Sequence, residues 1–200
     1  FKIDQNTGQI SVLQATVNYE TAPTYQLTVR VLDSAGLDHT ATIRIDVVDT
    51  NDQPKMADDS RSIPENSDKD TLVGAVIAFS DEDGVELPHT FTILSGNDND
   101  AFQIAASTGQ LSVKSPVLNF ETQQSYTLTV EVVDDGTPAL NDTAIITIDL
   151  QNVNEAPTID AGQSGTVAEN SIADVAVFPV QAGDVDVDND AWSTITWSLS

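Results

Sequence analysis

The chain has no cysteine and only two histidines in 200 residues. Without cysteine it has no disulfide framework, no thiolate zinc site and no cysteine nucleophile. The two histidines, His39 and His89, are too few for a metal centre built from several imidazoles. A metal bound by this chain would therefore be held mainly by oxygen ligands.

Basic residues are scarce as well. Lys and Arg number 7 against 32 Asp and Glu, which gives a formal net charge of -25 and a pI near 4.1. A surface this acidic repels phosphate backbones and anionic lipid head groups. We therefore expect no nucleic-acid partner and no direct binding to a membrane surface.

Long hydrophobic runs and a signal peptide are also missing. No apolar run approaches the roughly 20 residues that span a bilayer, and the chain does not open on a secretion signal. The pattern at Phe1 is already that of a strand. We therefore expect an excerpt from a longer protein, with no membrane insertion in this segment.

What the chain has instead is Asp gathered with Asn and Gly in short segments, such as residues 49–54 and 81–84. A surface that only promotes solubility does not require this clustering. Groups of hard oxygen donors suit a hard divalent cation, and Ca²⁺ takes roughly 6–8 such ligands. The clusters favour Ca²⁺ as the cofactor.

An internal repeat organises the chain. The FKI and TGQISV of residues 1–12 return as the FQI and TGQLSV of residues 102–113, an offset of 101 residues. The same offset carries Asp33 onto Asp134, and a two-residue insertion then shifts DTNDQP at 49–54 onto NVNEAP at 152–157. The unit of about one hundred residues is a usual size for one domain.

Strand patterns fill this unit. Residues 126–132 and 144–150 alternate apolar and polar side chains and are rich in Thr, Val, Ile and Tyr. About seven short strands per unit, separated by turn signals, predict an all-β fold of tandem immunoglobulin-like Greek-key β-sandwiches. We expect one complete repeat with its linker at 55–157, between partial repeats at 1–54 and 158–200.

Four short acidic motifs stand near the ends of the repeats: Glu65 after Pro64, Glu20 in NYE, the Asp-x-Asp loop at 81–83, and the linker at 49–54. Taken singly, each has an ordinary explanation as an exposed acid, a polar linker or an Asp-rich turn. Together and in this order they resemble the calcium-ligand set of cadherin repeats, and the resemblance covers the whole chain. It implies three calcium ions at each junction, bound by both neighbouring repeats and the linker.

The resemblance assigns ligands to two junctions. The first junction, around linker 49–54, would use Glu20, Asp49, Asn51, Asp52, Gln53 through its main-chain carbonyl, Asp81, Asp83 and Asp134. The second junction, around linker 152–157, would use Glu65, Glu121, Asn154, Glu155, Asp186 and Asp188. Asn18 and Asn119 stand where the family has Asp, as do Asn152 and Glu155 in the second linker. We therefore expect weaker or fewer ions at the second junction.

The same resemblance implies a function. It indicates calcium-binding repeats of an extracellular cell-adhesion protein, secreted or membrane-anchored, whose ions rigidify the array and whose partner is a protein, homophilic or heterophilic. Two alternatives are a structural stalk of a large bacterial surface adhesin and a module that binds surface carbohydrate. We expect no enzyme, because carboxylates in interdomain loops lack the cleft of a glycosidase.

Overall fold

A computed structural model describes residues 1–85, 88–186 and 194–199. Within these residues the chain is strand and loop, with one short 3-10 helix at Asp98–Asp100. The all-β prediction is confirmed. The described residues form fourteen strands, which are β1 (Lys2–Ile3), β2 (Ile10–Ser11), β3 (Thr24–Leu32), β4 (Asp38–Asp46), β5 (Lys55–Met56), β6 (Asp59–Pro64), β7 (Phe79–Ser80), β8 (His89–Ser95), β9 (Phe102–Ile104), β10 (Leu111–Val113), β11 (Ser125–Asp134), β12 (Asn141–Gln151), β13 (Thr158–Ile159) and β14 (Ala182–Gly183).

The largest described sheet lies within residues 59–151 and has four strands in the order β6-β12-β11-β8. β11 forms antiparallel pairs with β12 and with β8. β6 runs parallel to β12, from Asp59 opposite Ile146 to Pro64 opposite Gln151. Parallel strands cannot be joined by a tight hairpin. The chain between β6 and β12 contains the β9–β10 pair and also β7, which pairs with β5 ahead of β6, and these strands form a second layer.

The hydrophobic core lies between these two layers. Period-two alternation on β11 and β12 turns one face of each strand inward, and the buried residues there are Tyr126, Leu128, Val130, Val132, Ala144, Ile146, Ile148 and Leu150. The second layer contributes Phe102 and Leu111. Phe102 packs edge-to-face on Tyr126, with ring centroids 5.0 Å apart. This core gives the loops at both ends of the repeat a rigid base.

The strand pairing repeats along the chain. β1 pairs with β2 as β9 pairs with β10, and β3 pairs with β4 as β11 pairs with β12. Tyr25 lies opposite Ile45, and Tyr126 lies opposite Ile148. The offset is therefore 101 residues on the first strand of the hairpin and 103 on the second. The two-residue insertion seen in the sequence lies in the turn between β11 and β12.

Both linkers lie between strands. The first runs from β4 to β5, and the second runs from β12 to β13, which pairs with β14. Among the residues that the structure describes, no helix is long and apolar enough to cross a bilayer.

Candidate metal centres at the repeat junctions

Three carboxylates meet at the first junction. Glu20, Asp52 and Asp83 each have an oxygen within 4.8 Å of the others. They come from three separate segments: the β2–β3 connection, the first linker, and the loop after β7. Burial, followed by the negative charges of Glu82 and Asp83, raises the pKa of Asp52 above its ordinary value. The group therefore concentrates negative charge at the first linker.

The linker and the Asp-x-Asp loop are joined by hydrogen bonds. The backbone N–H of Asp52 donates to Asp83 Oδ2 at 2.7 Å. The backbone N–H of Asp83 donates in turn to Asp81 Oδ1 at 3.0 Å. The other oxygen of Asp81 lies 2.9 Å from His89 Nε2. Asp81 and Asp83 are thus oriented by fixed donors, and each keeps further lone pairs for a ligand.

Asn51 connects the linker to the β11–β12 turn. Its Nδ2 donates to Asp134 Oδ2 and to the carbonyl of Pro138, both at 3.0 Å. Asp134 Oδ1 accepts the backbone N–H groups of Gly136 and Leu140. Burial alone would raise the pKa of Asp134, but the hydrogen bonds from Leu140, Asn51 and Gly136 outweigh it and lower the pKa. Asp134 is therefore held as a carboxylate.

The remaining residues expected at the first junction lie nearby. Asp49 lines a cleft of about 540 Å³ together with Asn51 and Asp83. Gln53 donates through Nε2 to the carbonyl of Asn141 at 2.6 Å, which fixes the linker against the start of β12. Asn18, in the place of a family Asp, donates through Nδ2 to Glu82 Oε2 at 2.8 Å. Its amide thus makes a direct contact between repeats.

A second group of three carboxylates lies at the second junction. Glu65, Glu121 and Glu155 have oxygens within 4.8 Å of one another. Glu65 is only 2% exposed, and its two oxygens accept the backbone N–H groups of Phe120 at 2.7 Å and Val153 at 2.8 Å. Burial raises the pKa of Glu121, and the charges of Glu65, Glu155 and Asp186 add to the effect.

The second linker repeats the geometry of the first. The backbone N–H of Glu155 donates to Asp186 Oδ2 at 2.8 Å, as that of Asp52 does to Asp83. The backbone N–H of Asp186 donates to Asp184 Oδ1 at 3.1 Å. Asp184 is therefore the counterpart of Asp81, a residue that the sequence analysis missed. The offset of 103 residues, which carries the first linker onto the second, would have found it.

Two expected residues of the second junction contribute less to this picture. Asn154 donates through Nδ2 to the carbonyl of Glu155 at 3.3 Å. Asp188 lies outside the described residues.

Asp33, which the offset aligns with Asp134, accepts the backbone N–H groups of Ala35 and Leu37 on one carboxylate oxygen, in the manner of Asp134.

Three buried oxygens at the second junction have no hydrogen-bond donor among the described residues. They are Asn152 Oδ1, Glu155 Oε2 and Asp186 Oδ1. Asp186 is only 1% exposed. A buried acceptor without a partner costs roughly 1–3 kcal/mol, and buried charges are usually paired or coordinate a metal. Glu155 belongs to both sets, and these unpartnered oxygens, together with the carboxylates of Glu65 and Glu121, fit a bound cation.

The chemistry of both groups suits a hard cation. Every candidate ligand is a carboxylate, amide or carbonyl oxygen, and none is a sulfur or an imidazole nitrogen. Ca²⁺ prefers such ligands and tolerates irregular geometry, whereas Mg²⁺ demands a nearly ideal octahedron. The residues present therefore fit calcium.

Comparisons with known proteins identify the family. A cadherin-domain family model matches residues 1–48 and 59–151. Human protocadherin gamma-A12 is 33% identical over 207 aligned residues, which cover all of this chain and 22% of that protein. The Drosophila melanogaster Fat-like cadherin-related tumor suppressor homolog is 32% identical over 206 aligned residues, all of this chain and 4% of that protein. The chain thus spans no more than about a fifth of these relatives.

Solved structures share the fold. Human CDH23 EC21-23 superimposes with a TM-score of 0.67 at 23% identity, covering 92% of this chain and 60% of that one. The human Desmocollin-1 ectodomain gives a TM-score of 0.54 at 26% identity, covering 84% of this chain and 34% of that one. The prediction of immunoglobulin-like sandwiches is confirmed by these neighbours. The chain belongs to the cadherin family.

Proposed function

We propose that this chain is a calcium-binding segment of an extracellular cell-adhesion protein, and that calcium at its two junctions makes the repeats rigid. The proposed organisation is a partial repeat at 1–54, a complete repeat at 55–157 and a partial repeat at 158–200. The two acidic groups support it. The first draws its carboxylates from both sides of its linker and from the linker itself, and the second draws them from the preceding segment and the linker. The backbone N–H of Glu155 joins the second linker to Asp186 in the segment that follows.

The proposed ligands follow from position and chemistry. At the first junction they are Glu20, Asp49, Asn51, Asp52, the carbonyl of Gln53, Asp81, Asp83 and Asp134. At the second they are Glu65, Glu121, Asn154, Glu155, Asp184, Asp186 and Asp188. When bound, calcium supplies positive charge that several of these oxygens share.

The observation that carries the proposal is the set of unpartnered oxygens at the second junction. Asn152 and Glu155 come from the linker and Asp186 comes from the next repeat, so a cation that satisfied all three would tie these parts together. Like charges within 4.8 Å repel. The repulsion opposes close approach of the repeats, and neutralising it favours a single arrangement.

A rigid array suits adhesion, because it projects a binding surface away from its point of attachment. We propose a protein partner, homophilic or heterophilic, a cell-surface location in a secreted or membrane-anchored parent, and no catalytic activity. The cadherin relatives support these points, and they give no support to the carbohydrate-binding alternative. A rigid stalk that carries its adhesive part elsewhere would use the junctions in the same way.

Thermal unfolding of the 200-residue chain tests the proposal. A ligand that binds only the folded form stabilises it by mass action, so the melting temperature should be higher in Ca²⁺ than in chelator. The titration must reach the range on the order of 10⁻⁴–10⁻³ M that extracellular calcium modules need. Asp52→Asn should reduce the gain. The matched control Asp68→Asn removes the same charge at an exposed position outside both acidic groups and should keep it.

An equal melting temperature for the unmodified chain with and without calcium would overturn the proposed function. If calcium raised the melting temperatures of Asp52→Asn and Asp68→Asn as much as that of the unmodified chain, calcium would bind, but not through the first linker.

A further inference from the structure

We propose that His89 is a positioning residue for the first junction: its ring holds the carboxylate of Asp81 in the orientation that binds calcium. The inference rests on the proposed function, since Asp81 is one of the proposed ligands. It goes further by assigning a role to a residue that lies outside the acidic motifs.

The contact between His89 and Asp81 is short and sheltered. Nε2 of His89 lies 2.9 Å from Asp81 Oδ2, and the two side chains are 3% and 2% exposed. An ionised carboxylate only accepts hydrogen bonds, so Nε2 carries the proton in this pair. The backbone N–H of Asp83 donates to the other oxygen, Oδ1. Two donors on different oxygens fix the plane of the Asp81 carboxylate.

The ring of His89 is itself fixed by its surroundings. His89 begins β8 and lies opposite Asp134, the last residue of β11. Phe79 packs on the imidazole, with ring centroids 4.5 Å apart, and Phe91 packs in turn on Phe79 at 5.4 Å. His89 is therefore fixed by the core and in turn fixes the Asp-x-Asp loop, and it lies between the two proposed ligands Asp81 and Asp134.

A simpler role is that His89 only satisfies a buried acid, with no bearing on the metal. Under that role, removal of the donor would lower stability equally with and without calcium. Under the positioning role it would also lower calcium affinity at the first junction. Outer partners that orient metal ligands typically change affinity about 10–100-fold when they are removed.

The chain contains its own control, because residues 158–200 include no histidine. Asp184, the counterpart of Asp81 at the second junction, therefore has no histidine among residues 158–200 to orient it. A change at His89 should act on the first junction and leave the second unchanged.

The experiment is a Ca²⁺ titration of the full chain followed by NMR of backbone amides. The amides of Asp52 and Asp83 report on the first junction, and those of Glu155 and Asp186 report on the second. His89→Phe keeps the packing on Phe79 and removes the donor. It should raise the calcium midpoint of the first junction by about tenfold or more and leave the second unchanged.

His89→Gln keeps an N–H at a similar reach and should restore most of the affinity. If His89→Phe does not fold, His89→Leu provides a smaller side chain without a donor. Melting in chelator separates stability from binding.

A first-junction midpoint that is the same in His89→Phe and the unmodified chain overturns the inference and leaves the proposed function intact. Equal losses of calcium affinity at the first junction in His89→Phe and His89→Gln overturn it too, because the N–H donor that glutamine keeps would then have no effect. If the unmodified chain shows no calcium response at either junction, the proposed function fails, and this inference fails with it.

Discussion

Glu65 offers the sharpest separation between folding and calcium binding. Its side chain is 2% exposed, and each carboxylate oxygen accepts one backbone N–H, from Phe120 and from Val153. Glu65→Gln keeps the shape but replaces one acceptor by an amide donor. One backbone N–H then loses its partner, and the acidic group of the second junction loses one of its three negative charges.

The two consequences oppose each other in chelator. A hydrogen bond to a charged group contributes roughly 1.5–3 kcal/mol. Two like charges about 4 Å apart repel by ~1 kcal/mol in bulk water and by ~4 kcal/mol near a protein surface. Because the lost bond and the relieved repulsion are of similar size, we expect the free energy of unfolding in chelator to change by no more than about 2 kcal/mol.

In calcium nothing offsets the loss of the ligand. A ligand at a hundred times its Kd stabilises the folded state by about 2.7 kcal/mol, and Glu65→Gln should lose most of that gain. Chemical denaturation of the full chain in chelator and in calcium measures both quantities. Glu131→Gln makes the same substitution on β11, where the carboxylate bonds Asn141 outside both acidic groups. If Glu65→Gln gained as much from calcium as Glu131→Gln does, the role assigned to Glu65 would be wrong.

Three further predictions concern the first junction and the core. Asp83→Ala should weaken calcium binding at the first junction in a calorimetric titration and leave the melting temperature in chelator unchanged. Leu128→Ala should have the opposite effect: it should cost roughly 2–5 kcal/mol of stability through a cavity in the core and leave the calcium affinity unchanged. Gly136→Ala would place a Cβ in steric conflict with the side chain of Asn51. Asn51 must then move, so the calcium affinity of the first junction should fall in the same titration, while that of the second stays constant. The first linker carries more negative charge than the second, and the number of charged ligands tunes calcium affinity. NMR relaxation measurements should therefore show that the first junction becomes rigid at a lower calcium concentration than the second. Simultaneous stiffening of both junctions would contradict this.

The sequence predicted the fold well because the fold depends on local alternation and on a repeat. Tyr126, Leu128 and Val130 alternate with polar residues on β11, and all three are buried as the pattern requires. The offset of 101 residues and the later insertion both recur in the strand pairing. The alternation is contained in short stretches of chain, and the repeat is found by comparing the sequence with itself, so neither signal needs knowledge of spatial contacts.

The candidate site was harder to predict where it depends on contacts between separate segments. Glu20, Asp52 and Asp83 were found by motif, but their convergence within 4.8 Å is visible only in three dimensions. His89 has no motif, and it reaches Asp81 because β7 and β8 place both ends of that loop together. Asp184 opens an Asp-rich run at residues 184–190 in which several Asp-x-Asp pairs overlap, so the motif alone does not single it out.

The central claim is that calcium fixes the orientation of adjacent repeats, and distance measurements across the first junction test it most directly. The chain has no cysteine, so Thr42→Cys on β4 and Thr143→Cys on β12, both at exposed positions, would carry the only two spin labels. We predict a broad distribution of label-to-label distances in chelator and a single narrow one in calcium. Equal widths in both conditions would contradict the account.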